Sequence, residues 1–216
     1  MANPSKKIHP LLHEGLFGFL DPELAPDLPI ASLVESFVDA DCHCLILRSP
    51  TMDKTKLALL ASELADLREV LGFELLLHND IETAHETGAT GVHLSAQGPS
   101  VFEAREILGD EAVIGVSVHN LLEAKAAEAA GADYVILGAI FPTEKNHPYP
   151  LVGLESLKQI CVTLEIPVYA IGGMSEAVLP VVKTSGAYGF CALRAVYADG
   201  EIEHNIAKLG FLWEEA

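Results

Sequence analysis

Two segments near the carboxyl end of the chain have the composition of a phosphate-binding site. An apolar run over residues 166–171 stops at Gly172 and Gly173, and a second apolar run, about one helix later, stops at Leu193 and Arg194. Accessible backbone amides and a helix N-terminus supply the positive pole that a phosphate needs, and a fixed cation at Arg194 would strengthen it. We predict phosphate binding by these four residues. The alternative is that the glycine pair only makes a tight turn between a strand and a helix.

Polar residues also follow two earlier apolar runs. Arg48 ends one of them, where a charged side chain needs either a ligand or an ion-pair partner. Asn79 and Asp80 end another. The amide of Asn79 could bind a heterocycle and the carboxylate of Asp80 could hold a cation, but Asp80 could also cap a helix that begins at Ile81.

Five further positions are candidates for contact with the substrate. Ser117 and His119 end an apolar run, and His119 could move protons near neutral pH or cap the next helix. Gly153 follows a long loop over residues 142–152, which carries Thr143 and Lys145. Long loops of this kind usually carry function, so Lys145 is a candidate contact for a phosphate or diphosphate. Its alternative is an ordinary solvated lysine.

The elements that must position these residues alternate between strand and helix signals. Predicted strands cover residues 15–20, 42–48, 73–77, 91–94, 113–118, 133–141, 168–171 and 188–193. Predicted helices cover residues 28–38, 53–71, 81–87, 100–108, 121–130, 154–164, 176–184 and 202–213. Eight such units predict one (β/α)8 TIM barrel over residues 1–216, with 1–14 as an N-terminal extension. The polar residues then gather at the carboxyl ends of the strands, and the phosphate segments follow the seventh and eighth strands.

Composition limits the partners of this barrel. The net charge is −18, with 13 Lys and Arg against 31 Asp and Glu, which argues against nucleic acid or an anionic membrane surface. Neither a signal peptide nor an apolar run of membrane-spanning length is recognisable, so we expect a cytoplasmic protein. Any site for a phosphorylated ligand must be locally positive.

The histidines and cysteines suggest structural roles elsewhere. His93 is predicted to be a core-facing or hydrogen-bonded histidine. Cys42 and Cys44 flank His43, and in a strand the two cysteines would face one way and the histidine the other. We interpret all four cysteines as small buried residues in a reducing compartment, because no spacing typical of zinc binding is present.

The motifs in this order resemble the thiamin-phosphate synthase and TenI family of barrels. The resemblance is carried by Ile-Gly-Val-Ser-Val-His119, Ala-Gly-Ala-Asp-Tyr134, Leu-Gly-Ala-Ile-Phe-Pro-Thr143, Gly153-Leu-Glu, Ile-Pro-Val-Tyr-Ala-Ile-Gly-Gly173 and Gly186-Ala-Tyr-Gly. Asn79-Asp80, Gly91-Val-His-Leu94 and Arg48 extend it toward the N-terminus. It covers most of the chain.

This resemblance implies a function and a set of roles. Synthases of the family join a pyrimidine diphosphate to a thiazole phosphate and displace pyrophosphate with Mg²⁺. By resemblance, Arg48 and Asn79 contact the pyrimidine or its diphosphate, and Asp80 holds the metal. Contacts to the diphosphate are then expected from Ser117, Thr143 and Lys145. Contacts to the thiazole phosphate are expected from Gly172, Gly173 and the amides of Leu193 and Arg194. A homo-oligomer is expected on family grounds.

Several positions depart from the synthase pattern. Ile46 stands where these synthases carry a glutamine, and Pro50 where they carry a lysine. Residues 95–98 lack the second metal carboxylate, the loop motif is one residue short at Thr143-Glu-Lys145, and Arg194 replaces the usual serine. A single carboxylate with substrate oxygens can still hold Mg²⁺, so synthase-type coupling stays the leading hypothesis.

Two alternatives use the same scaffold. The first is a TenI-like thiazole phosphate tautomerase that needs no metal. Ala139 stands at the position of the tautomerase histidine, so His119 or His147 would have to replace it. The second is a non-catalytic regulatory protein that binds thiazole phosphate.

Overall fold

The computed structural model describes residues 6–143 and 150–216. Within these ranges the strands are β1 (Gly15–Leu16), β2 (Gly18–Leu20), β3 (Cys44–Leu47), β4 (Glu74–His78), β5 (Gly91–Leu94), β6 (Val113–Val118), β7 (Tyr134–Gly138), β8 (Val168–Ile171) and β9 (Gly189–Cys191). The α-helices are α1 (Ile30–Val38), α2 (Lys54–Leu71), α3 (Ile81–Thr87), α4 (Val101–Leu108), α5 (Leu121–Ala129), α6 (Gly153–Thr163), α7 (Leu179–Thr184), α8 (Leu193–Val196) and α9 (Ile202–Glu214). A short 3₁₀ helix covers Ala198–Gly200.

All strands are parallel, and each pairs with its neighbours in chain order from β2 to β9. The predicted first strand is split at Phe17 into two pieces with different partners: β1 pairs with β9, and β2 pairs with β3. The amide of Phe17 itself donates to the carbonyl of Phe190 at 2.9 Å. The split strand therefore joins the two ends of the sheet, and the predicted (β/α)8 barrel is confirmed.

Local capping explains where several helices begin and end. Ser100 and Glu103 form a capping box at the start of α4, which satisfies otherwise unpaired amides. Asp53 caps α2 by accepting from the amide of Thr55, and Gly72 ends the same helix in the left-handed conformation. The predicted end of α2 at Leu71 is thus confirmed, and its start lies one residue later than predicted because Asp53 is the cap.

The predicted elements after β6 differ from the structure by two residues or more at three ends. β7 stops at Gly138 rather than at residue 141, although Ile140 and Phe141 still donate to carbonyls at the end of β8. The predicted helix over 176–184 begins only at Leu179, because Ser175 and Val178 first make a turn and Pro180 favours the first helical turn. β9 stops at Cys191, since Leu193 already begins α8.

Two apolar clusters lie on the two sides of the sheet. One fills the space between the strands and the helices, and the other fills the barrel lumen with residues such as Phe17, Tyr134 and Tyr169. Cys44 lies in the lumen cluster, whereas Cys42 lies in the outer cluster, so the prediction that both face one way was wrong. The reason is that β3 begins at Cys44, and the two-residue alternation does not hold in the turn before it. All four cysteines are free and buried, as predicted.

The described part of the N-terminal extension, residues 6–14, closes the amino-terminal end of the lumen. Leu12 is buried in the lumen cluster. Carbonyls of this segment accept hydrogen bonds from three lumen side chains: the hydroxyl of Tyr169 donates to His13 at 2.7 Å, that of Tyr188 to Leu12 at 3.3 Å, and the thiol of Cys44 to Leu11 at 3.2 Å. The extension is thus a floor for the barrel. No helix of the described residues is both long and apolar enough to cross a membrane.

Gly115 and Gly210 give a matched test of lumen packing. A Cβ on Gly115 would overlap the ring of Tyr134, whereas a Cβ on Gly210, inside α9, meets no atom within 4 Å. Gly115→Ala should therefore lower the free energy of unfolding by about 1–3 kcal/mol. Gly210→Ala should raise it by about 0.5–1 kcal/mol through helix propensity. Urea denaturation measures both, and an unchanged stability of Gly115→Ala would show that the lumen is loosely packed.

Candidate active site

A cleft of about 170 Å³ opens at the carboxyl ends of the strands. Each of the eight strand positions of the barrel contributes one lining residue: Phe19, Arg48, His78, His93, Ser117, Ile136, Ile171 and Leu193. Apolar side chains and a few polar groups converge there, as in many small-molecule sites. Three residues predicted from the sequence, Arg48, Ser117 and Leu193, are brought together in this cleft.

A larger depression of about 440 Å³ lies at the opposite end of the barrel, beside Leu11. Its polar groups already bond one another: Arg68 donates to the hydroxyl of Thr90 at 3.1 Å, and that hydroxyl donates to Glu74 at 2.6 Å. Active sites of such barrels lie at the carboxyl ends of the strands. We therefore assign the candidate site to the smaller cleft.

Arg48 makes the ion pair that its position allowed and also lines the cleft, where its contact to a ligand stays a prediction. Its guanidinium lies 3.7 Å from the carboxylate of Asp21, which is 5% exposed, while the arginine side chain keeps 27% exposure at the cleft. Tyr197 holds the loop that carries Asp21 in place. The backbone amide of Asp21 donates to the hydroxyl of Tyr197, and this hydroxyl donates to the carbonyl of Phe19. Asp21 fixes Arg48 at the rim of the cleft and offsets part of its positive charge.

Two histidines line the inner part of the cleft. The ring of His78 stacks on His93 with the centroids 6.2 Å apart. Burial, and to a smaller extent the charge of Arg48, lowers the pKa of His78 to about 4. Burial and the neighbouring His78 lower the pKa of His93 to about 3. Both imidazoles are therefore neutral near pH 7, so Arg48 is the positive charge among the lining residues.

The structural role predicted for His93 is confirmed. Its Nδ1 lies 3.1 Å from the hydroxyl of Tyr134, and its Nε2 lies 2.8 Å from the hydroxyl of Ser117. His78 was missed by the sequence reasoning. The signal that could have found it is a polar residue that ends the apolar run 75–77, directly before Asn79 and Asp80.

Asn79 uses its side chain to hold a neighbouring loop. Its Oδ1 accepts from the amide of Ser95 at 2.7 Å, and its Nδ2 donates to the hydroxyl of Ser95 at 3.0 Å. Asn79 has a φ of +61°, and Gly98 is required opposite it, because a Cβ on Gly98 would overlap Oδ1. Asn79 does not line the cleft, so its contact to a heterocycle stays a prediction.

Asp80 makes the capping contact that the sequence also allowed, whereas α5 is capped by Asn120 and not by His119. The carboxylate of Asp80 accepts from the amide of Thr83 at 3.1 Å, at the start of α3. The ring Nδ1 of His119 lies 3.0 Å from Glu123, which also accepts from the amide of His119 at 2.7 Å. Neither side chain lines the cleft. The metal role of Asp80 and the substrate role of His119 stay predictions.

Gly172 and Gly173 have positive φ values of 98° and 66° and pack against the chain after β7. A Cβ on Gly172 would lie 2.5 Å from that of Ala139, and one on Gly173 would lie 2.6 Å from that of Phe141. The tight turn is therefore real, and it is compatible with phosphate binding by the same amides. Leu193 lines the cleft at the start of α8, and Arg194 beside it is exposed.

Only part of the long loop over residues 142–152 lies within the described residues. Thr143 is half-buried, and Lys145 and His147 lie outside the described residues. Gly153 begins α6 with a φ of +74° and open space around its Cα. Of the positions that depart from the synthase pattern, Ile46 is buried in the lumen cluster, whereas Pro50 is exposed.

The described residues do not form a magnesium site of their own. No group of three or more His, Cys, Asp or Glu side chains in these ranges could hold a metal ion. Asp80 is used as a helix cap, and the loop at residues 95–98 supplies Ser, Ala, Gln and Gly rather than a carboxylate. Octahedral Mg²⁺ would need most of its oxygen ligands from water or substrate.

Comparison with known proteins identifies the family. Residues 19–196 match the family model described as thiamine monophosphate synthase. The chain belongs to this family. A putative thiamine-phosphate synthase of Geobacter sulfurreducens is 34% identical over 185 residues, which are 85% of this chain and 87% of that protein. A thiamine-phosphate synthase of Clostridium novyi is 33% identical over 176 residues, which are 81% of this chain and 86% of that protein.

A solved structure supports the same family. The thiamine phosphate pyrophosphorylase from Pyrococcus furiosus matches with a TM-score of 0.83 and 26% identity, over 93% of this chain and 96% of that chain. The resemblance inferred from the motifs is therefore confirmed. The part that matches the thiamine monophosphate synthase family, residues 19–196, includes every residue that lines the cleft.

The lowered pKa of His93 predicts acid sensitivity of this family member. In the unfolded chain this histidine would have a pKa near 6.5 and would bind a proton at a pH where the folded state keeps it neutral. The free energy of unfolding should therefore fall as the pH falls below about 6.5. Urea denaturation at about pH 7 and about pH 5 measures this loss. His93→Gln should show a smaller loss, and His204→Gln, at an exposed position, should show the full loss. Equal losses in all three proteins would contradict the buried neutral histidine.

Proposed function

We propose that this chain couples a pyrimidine diphosphate to a thiazole phosphate, with release of pyrophosphate, in the cleft at the barrel mouth. The observation that carries the proposal is the convergence of Arg48, Ser117 and Leu193 in one cleft of a chain from the thiamine monophosphate synthase family. The substrates are phosphorylated small molecules. We further propose a cytoplasmic homo-oligomer that binds neither nucleic acid nor membrane, in keeping with the net charge of −18.

The lining residues suit the two ends of such a substrate. Phe19, Ile136 and Ile171 offer apolar surface to a flat heterocycle. Arg48 and the hydroxyl of Ser117 are donors for diphosphate oxygens, and charge-assisted hydrogen bonds of this kind are the strong ones. The amides at Gly172, Gly173, Leu193 and Arg194 would take the thiazole phosphate, and Thr143 and Lys145 would approach the diphosphate from the long loop.

The reaction needs orientation and charge stabilisation rather than proton transfer. The bond between the pyrimidine methylene carbon and the diphosphate oxygen breaks, and pyrophosphate leaves with the electron pair. The thiazole nitrogen then donates its lone pair to the methylene carbon and forms the new bond. Arg48 stabilises charge on the leaving group, and the apolar walls hold the two rings in line.

Mg²⁺ is proposed as part of the substrate. A Mg²⁺–diphosphate complex would bring most of its oxygen ligands with it. One carboxylate ligand from the chain, that of Asp80, would then be enough to hold the metal. This arrangement agrees with the absence of a multi-carboxylate cluster from the described residues.

Incubation of the purified chain with both substrates and Mg²⁺ tests the proposal, with thiamin phosphate and pyrophosphate measured as products. Formation of both in equal amounts is the expected result. No thiamin phosphate at high enzyme concentration would overturn it. A metal-independent spectral change of the thiazole phosphate alone would then identify a tautomerase, and binding without turnover would identify a regulatory protein.

Arg48→Gln is the sharpest single variant of this site. It keeps amide donors near Asp21 but removes the positive charge, so kcat/KM for the diphosphate should fall by about 10- to 100-fold. Arg68→Gln, at the opposite end of the barrel, is the matched control and should leave kcat/KM unchanged. Equal effects of the two variants would show that Arg48 acts only through stability.

A further inference from the structure

Three side chains on three neighbouring strands form a hydrogen-bonded chain that leads from the lumen to the cleft. The hydroxyl of Tyr134 on β7 lies 3.1 Å from Nδ1 of His93 on β5, and Nε2 of His93 lies 2.8 Å from the hydroxyl of Ser117 on β6. The rings of His93 and Tyr134 are stacked with the centroids 5.6 Å apart. His93 is 1% exposed and Tyr134 is fully buried, whereas Ser117 lines the cleft.

The position of each proton in this chain follows from burial. Within the described residues, the hydroxyl of Tyr134 has no hydrogen-bond partner other than Nδ1 of His93. If Nδ1 carried the imidazole proton, it would donate to the tyrosine oxygen, and the buried tyrosine proton would have no acceptor. An unpaired buried donor is costly. The tyrosine therefore donates to Nδ1, and the neutral histidine carries its proton on Nε2.

The same reasoning extends to Ser117. Nε2–H of His93 donates to the serine oxygen, so the serine cannot use its own proton toward the histidine. Within the described residues the hydroxyl of Ser117 has no other hydrogen-bond partner. Its proton is therefore free to point into the cleft, on the side where Arg48 also presents its guanidinium.

We propose that Tyr134 and His93 are positioning residues that fix Ser117 as a hydrogen-bond donor to an anionic oxygen of a phosphorylated ligand. Without this chain the serine could donate to the histidine and present only lone pairs, which repel a phosphate. Ser117 as a diphosphate contact rests on the proposed function; the orientation of its proton rests on the hydrogen bonds alone. The chain supplies a neutral donor where the protein as a whole is strongly acidic.

The tautomer of His93 can be measured without any ligand. We expect ¹⁵N NMR of the histidine-labelled full chain to show Nδ1 as an unprotonated nitrogen and Nε2 as a protonated one near neutral pH. The signals are assigned by their loss in His93→Gln. Protonation of Nδ1 in the wild-type protein would overturn the proposal, whatever the protein catalyses.

A double-mutant cycle tests whether Tyr134 acts through Ser117. The probe is inorganic pyrophosphate, titrated calorimetrically in the presence of Mg²⁺. Ser117→Ala should weaken binding by about tenfold, and Tyr134→Phe by about three- to tenfold. In the Ser117→Ala background, Tyr134→Phe should change the affinity by less than about twofold, because coupled residues are not additive. Ser117→Thr, which keeps a hydroxyl, should restore most of the binding.

Tyr169→Phe is the matched control for these variants. Its hydroxyl is also buried in the lumen but donates to the carbonyl of His13 at the floor of the barrel. This variant should lower stability and leave pyrophosphate affinity unchanged. Additive effects of Tyr134→Phe and Ser117→Ala, equal affinities of Tyr134→Phe and wild type, or no pyrophosphate binding by the wild-type protein would each contradict the proposal.

These outcomes separate the inference from the proposed function. Thiamin phosphate formation together with an Nδ1-protonated His93 would retain the function and remove the inference. Coupling of Tyr134 to Ser117 in pyrophosphate binding, without thiamin phosphate formation, would retain the inference and remove the function.

Discussion

Closure of the barrel through the split first strand is the constraint on which the site depends. Because β1 pairs with β9 and β2 pairs with β3, Phe19 and Leu193 are brought to the same opening as Arg48. In an open sheet, Phe19 would lie at one edge and Leu193 at the other. The N-terminal segment supports closure from below, where carbonyls of residues 11–13 accept hydrogen bonds from lumen side chains.

The electrostatics of the cleft follow from what the lumen excludes. A protein with a net charge of −18 must bind a phosphorylated substrate, yet the two histidines beside the cleft are neutral because they are buried. Arg48 is partly offset by Asp21. In the proposed account, binding depends on neutral donors whose protons are already oriented, namely a serine hydroxyl and backbone amides, since preorganised dipoles need no rearrangement when the ligand arrives. The buried pair Tyr134 and His93 is thus joined to the cleft through the hydroxyl of Ser117.

The sequence predicted the fold well because its signals are local. The strands over 113–118 and 168–171 and the helix over 81–87 have the predicted ends, and the capping box at Ser100 is present. The site was predicted less completely because its contacts join residues far apart in the chain. Tyr134, His93 and Ser117 meet only once three strands are side by side, and Asn79 is held by Ser95 across two loops. No periodicity reports such partners. His78 was overlooked although it is the polar residue that ends the apolar run 75–77.

The central claim is that the cleft binds the pyrimidine diphosphate together with Mg²⁺ and the thiazole phosphate beside it. Calorimetric titration of each substrate, with and without Mg²⁺, tests this claim directly. We predict binding of both, with the diphosphate bound more tightly when Mg²⁺ is present. Binding of the thiazole phosphate alone, with no diphosphate binding under either condition, would contradict the account.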